Sequence, residues 1–207
     1  ETSITVTESW ISSTMLSSTG KAGYGLQVND GSSMTVSRSR VSENHTAGLI
    51  AGGDGTTLSA EAIWVDATRP RADGARGRGF QVQSGATCDI SRSLVTANPD
   101  VGVMYFAAAG TVKDSLIDGV SPMTSDLGDG LLSTGSIVTG QGIVSRGHVR
   151  AGVLFDTSQG EFATSLVEHN AIGVANQGLP GATIAEDNRI EANDEDRLYD
   201  ANLEVPD

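Results

Sequence analysis

A single cysteine, Cys88, is all the 207-residue chain offers, which excludes an internal disulfide and any Cys-Cys or Cys-His metal framework. Aromatic residues make up only 4% and prolines number five, a poor supply for helices packed around an aromatic core. Positive charge is also scarce. Thirteen Lys and Arg against 26 Asp and Glu leave a net charge of -13, the wrong sign for a surface that neutralises nucleic-acid phosphates or binds anionic lipid. No run of about 18 apolar residues is present to span a bilayer, and no basic start leads into an apolar segment as a signal peptide would. Neither a nucleic-acid partner nor a membrane span is expected.

What remains is 38% hydrophobic residues, 26 glycines and abundant Ser and Thr. That composition suits short strands joined by tight turns in one domain with a substantial core. The strands announce themselves by repetition. The pattern apolar-x-x-Ser-x-apolar runs through Val6 to Ile11, Val36 to Val41, Ile90 to Val95, Val112 to Ile117 and Phe162 to Val167. Weaker copies read Leu58 to Ile63, Val138 to Ile143 and Ala185 to Ile190, with Glu61, Gln141 and Asn188 in the serine place. The last apolar positions step by 30, 22, 32, 22, 26, 24 and 23 residues.

A second element alternates with the first, glycine leading a short apolar run: Gly25-Leu26, Gly48-Leu49, Gly79-Phe80, Gly102-Val103, Gly130-Leu131, Gly152-Val153 and Gly173-Val174. Two short strands per repeat cannot bury a face alone, so neighbouring repeats must stack and bury it jointly. Period-2 alternation turns Leu26, Leu49, Phe80, Val103, Leu131, Val153 and Val174 inward. The serines, two places before the last apolar residue, should then form an internal ladder with Asn188. Each recurrent glycine is expected to supply a turn with φ > 0. A β-sandwich has no reason to keep two motifs in phase over so many copies.

The spacing and both motifs resemble the right-handed parallel β-helix of the pectate-lyase-like superfamily, from Ser3 to Asn193. The resemblance implies an all-β solenoid of about seven to eight coils. It divides the chain into one β-helix domain, residues 1–193, and an acidic cap or linker, residues 194–207, where six carboxylates face one Arg197. Because Val6 to Ile11 has no glycine-led strand before it, further coils or a cap are expected upstream.

The longer steps locate insertions at Ser12 to Tyr24, Trp64 to Arg78 and Asp118 to Asp129, all expected at one edge of the solenoid. The second holds four arginines, Arg69, Arg71, Arg76 and Arg78, whose forked guanidinium groups suit carboxylate or sulfate on a polysaccharide. The plainer alternative pairs them with nearby acids. Replacing Arg76 and Arg78 with Ala is expected to weaken anionic-glycan binding and to leave unfolding nearly unchanged. The third insertion carries Asp118, Asp126 and Asp129. Oxygen-rich loops can hold Ca²⁺, though the spacing here is not that of a regular calcium loop, and no other cofactor is expected.

The resemblance also implies testing for polysaccharide lyase, hydrolase or epimerase chemistry on the outer face of the glycine-led sheet. The outward residues there, Gln27, Ile50, Gln81, Met104, Leu132, Leu154 and Ala175, include no carboxylate, lysine or arginine. Gly147-His148-Val149 departs from the Gly-His-Gly element of polygalacturonase-like enzymes. Instead Ile50, Met104, Leu132 and Leu154 form an apolar stripe that needs a cover, whether loops, a ligand or a second copy in a homo-oligomer. The leading expectation is a non-catalytic module of a secreted or surface protein, serving adhesion, spacing or carbohydrate contact. The alternative is a lyase or hydrolase with its site at the insertions.

Overall fold

A computed structural model describes residues 2–119, 127–199 and 202–205. Among the described residues there is no helix, and the strands form three eight-stranded parallel sheets wrapped around one apolar core. The chain is a right-handed parallel β-helix of about seven turns. One coil shows the path. Thr87–Ser91 lies in the first sheet, Leu94–Thr96 in the second and Val101–Phe106 in the third, and each strand pairs with its counterparts in the coils before and after. Each coil therefore has three strands rather than two, because the serine motif is not one strand. It crosses the corner between the first and second sheets.

That corner is tight because Arg92, just before Ser93, is left-handed with φ of 49°; Glu8, Arg38, Ala62, Asp114 and Thr164 adopt the same conformation at equivalent places. Side chains there strain the backbone, and the serine ladder offsets the cost. Ser93 Oγ donates to the Ser91 carbonyl at 2.8 Å and accepts from the Ile63 N–H at 3.3 Å. The Ser93 N–H in turn donates to Ser115 Oγ at 3.1 Å. Each such bond contributes about 0.5–1.5 kcal/mol. An asparagine ladder serves the second corner in the same way: Thr68 donates to Asn98 Oδ1, His148 to Asn170 Oδ1, and Asn170 to Asn193 Oδ1.

The serine ladder corrects two of the sequence alignments. Val65 pairs with Val95 and Ser145 with Ile117, so Ile63 and Ile143 themselves occupy the serine place. The third copy is Ala60 to Val65 and the sixth Gly140 to Ser145, and the steps become 30, 24, 30, 22, 28, 22 and 23.

The inward column Leu49, Phe80, Val103, Leu131, Val153 and Val174 is buried in the core, with Tyr105, Phe155 and Phe162 among its largest members. The leading glycines have a different cause from the expected turn. Gly79 and Gly102 are not left-handed; a Cβ on Gly79 would stand 2.5 Å from the Gly102 carbonyl oxygen and 2.7 Å from Val95 Cγ1. Close approach of successive coils, not φ, demands glycine there.

The apolar stripe on the third sheet is not a free surface. Ile50, Met104, Leu132 and Leu154 are buried, and the last three form a second cluster with Leu127, Leu198, Leu203 and Val205. Glu195–Tyr199 extends the third sheet beside Ile172–Gln177. Residues 202–205 then lie against its outer face. The Gln177 side-chain amide donates to the Leu203 carbonyl and accepts from its N–H, both at 2.9 Å. Arg150 Nη1 donates to the Glu204 carbonyl at 2.7 Å. The cover for these three residues comes from the chain itself, which takes from them the role of an oligomer interface.

Candidate functional site

The four arginines of the second insertion do not present one exposed cluster. Arg69 is half exposed and bonds Glu43 at 2.6 Å. Arg71 is largely buried, 3.6 Å from Asp73. Arg76 is half-buried in a left-handed turn with φ of 66°. Burial, followed by repulsion from Arg78 and Arg71, holds its guanidinium below the ordinary value. Arg78 is not in the loop at all. It opens the strand Arg78–Gln83, and its Nε bonds Asp100 at 2.7 Å out of reach of solvent. Arg78 therefore cannot meet a surface glycan, and its loss should destabilise the fold rather than leave unfolding unchanged. The first two insertions do come together, with the Ala72 N–H donating to the Gly20 carbonyl at 3.3 Å.

The acidic insertion divides similarly. Asp118 closes a second-sheet strand and accepts from Arg146 at 3.2 Å. Asp129 is fully buried in the third sheet, where it accepts from Arg150 and from the Ala151 N–H. Burial raises its carboxyl above the ordinary value despite the opposing pull of Arg150. Its place in a surface ligand site is lost for the same reason as that of Arg78. Asp126 lies outside the described residues. Among the described residues no group of three or more His, Cys, Asp or Glu is placed to hold a metal ion. Cys88 is buried, and burial raises its thiol far from reactivity.

The exposed chemistry sits elsewhere, on the outer face of the second sheet. Trp10, Arg40 and Trp64 pair in register on successive strands, so their side chains form one outward column. The two tryptophans are the only ones in the chain, and they are 69% and 39% exposed. The Arg40 guanidinium carbon lies 3.9 Å from the Trp64 ring centroid and 5.7 Å from that of Trp10. Arg40 also forms a forked pair with Asp66, Nε to Oδ1 at 3.0 Å and Nη2 to Oδ2 at 2.7 Å. That hydrogen bond raises the arginine above its ordinary value. Each indole is pinned from the next coil, Trp10 Nε1 donating to Ser42 Oγ at 2.8 Å and Trp64 Nε1 to Thr96 Oγ1 at 3.2 Å. An open groove of about 670 Å³ continues along this face past Leu94 and Leu116.

Sequence reasoning missed this column because the third copy was aligned two residues early. In the correct register Trp64 precedes Val65 as Trp10 precedes Ile11, and the two tryptophans would have declared a shared face. The early alignment assigned Trp64 to the insertion instead.

Fold and site together define the class: a right-handed parallel β-helix carrying an aromatic and arginine column on one outer sheet. No protein-family model matches the sequence, and no curated protein matches it. Among solved structures the pectate lyase Pel9A shares the fold, with a TM-score of 0.53 and 17% sequence identity. The alignment covers 83% of this chain and 52% of that one, so the chain spans about half the length of the structure it matches. At that identity the likeness establishes the fold.

Proposed function

We propose that the chain is a non-catalytic β-helical module of a secreted or surface protein, and that it contacts carbohydrate through the outer face of its second sheet. One observation carries the reading. The only two tryptophans stand exposed on that face, flanking an arginine. Indole rings offer apolar area to the C–H face of a sugar while arginine and hydroxyl groups meet its edges, and a rigid sheet holds both in place. The fold neighbour is a pectate lyase, an enzyme named for a polysaccharide, which favours carbohydrate over protein as the partner. Catalysis has less support, since Asp129 is committed to a buried pair and Asp118 to Arg146.

Affinity electrophoresis through gels holding a panel of neutral and acidic polysaccharides tests the reading, with new reducing ends measured in parallel. Retardation by at least one polysaccharide without new reducing ends is the expected result. New reducing ends would make the chain an enzyme, and free migration through the whole panel would remove carbohydrate as the partner.

A further inference from the structure

The geometry points to a particular ligand class: we propose that Trp10 and Trp64 are two stacking positions for one neutral, extended glycan lying along the helix axis. This rests on the carbohydrate reading and narrows it. The first argument is spacing. The Arg40 guanidinium carbon stands 5.7 and 3.9 Å from the Trp10 and Trp64 ring centroids, which are therefore no more than 9.6 Å apart. The tryptophans stand on alternate coils, one parallel-strand spacing of roughly 4.8 Å for each step. In a flat ribbon of equatorially linked hexoses, such as a β-1,4-glucan, -mannan or -N-acetylglucosaminan, every second sugar turns the same face to one side. Sugars two apart then meet Trp10 and Trp64, and the sugar between them lies beside Arg40, whose guanidinium already covers one face of the Trp64 ring.

The second argument is charge. Arg40 is already neutralised by the forked pair with Asp66, and the flanking Arg38 and Arg92 pair with Glu8 and Glu61. The column is thus polar without a net excess of cation in a chain of charge -13. A polyuronate would bring carboxylates against Asp66, Glu8 and Glu61 with no spare arginine to meet them, whereas neutral hydroxyls can bond to both members of each pair. The third argument is preorganisation. Both indole N–H groups are held by hydroxyls of the next coil, so little side-chain freedom is lost when a sugar stacks. The groove beyond Trp64 runs past Leu94 and Leu116 along the same face, leaving room for a chain longer than three sugars.

Calorimetric titration with cellohexaose, mannohexaose and chitohexaose, and with polygalacturonate for comparison, tests the assignment. At least one neutral hexamer is expected to bind more tightly than polygalacturonate. Trp10→Ala and Trp64→Ala should each weaken that binding tenfold or more with unchanged circular dichroism, and Trp10→Phe should retain most of it. If polygalacturonate binds and the neutral hexamers do not, or if the neutral hexamers bind equally well to both alanine variants, this assignment is overturned while carbohydrate contact stands. Absence of binding to all four probes would overturn this assignment, and free migration through the whole polysaccharide panel as well would overturn both.

Discussion

Nε of Arg78 donates a 2.7 Å hydrogen bond to Asp100, and the two side chains are only 3% and 2% exposed. Removing either member breaks this pair in the interior. Arg78→Ala or Asp100→Ala is expected to cost about 3–5 kcal/mol. Arg69→Ala, which breaks an exposed pair with Glu43, should cost at most about 1 kcal/mol. Urea unfolding of the three variants checks both values. Equal costs for Arg78 and Arg69 would mean that Arg78 is solvated.

The segment that crosses the third sheet makes a second prediction. Leu203 packs against the cluster containing Met104, Leu132 and Leu154, and its backbone is held at both groups by Gln177. Leu203→Asp should release residues 202–205 and bare that stripe. The expected readings are increased binding of a hydrophobic dye and concentration-dependent self-association on size-exclusion chromatography. A variant that stays monomeric and dye-silent would show that the stripe is covered by something other than this segment.

His148 gives a pH dependence whose sign follows from its burial, which lowers its imidazole from an ordinary 6.5 to about 4. As pH falls below 6.5 the unfolded chain binds the proton first, so stability is full above 6.5 and declines as pH falls towards 4. The contribution lost is ~3 kcal/mol across that window, at about 1.4 kcal/mol per pH unit. Asn98 and Asn170 stand at equivalent places of the corner ladder, which makes His148→Asn a conservative exchange. The difference in stability between the native chain and this variant should shift by that amount between pH 7 and pH 4. A difference that does not change with pH would mean the imidazole titrates normally.

Much of the architecture was legible before any coordinate because a solenoid puts each coil in the same surroundings. The Ser93 and Phe80 patterns recur for that reason, and both residues prove to be inside. The reading failed where two residue types could fill one place. Ile63 and Ile143 occupy the serine position and are apolar enough to be taken for the last residue of the motif, which displaced Trp64 from its sheet. Because each directly precedes a leading glycine, Gly79 or Gly130, whereas the strands start one residue earlier, Arg78 and Asp129 fall to the insertions in the sequence. Their partners, Asp100 and Arg150, lie 22 and 21 residues away in the next coil, beyond any local pattern.

By itself the sequence determined the parallel β-helix, the inward column from Leu49 to Val174 and the serine ladder, since each follows from short-range periodicity repeated in phase. Only the tertiary structure decided which charges are buried, which apolar residues are covered and which aromatic rings remain outside. Those outcomes depend on side chains from neighbouring coils and from residues 202–205 meeting in space. Arg78 is withdrawn by Asp100, Leu154 is covered together with Leu203, and Trp10 and Trp64 are left on one face because strand register, not sequence distance, sets them either side of Arg40.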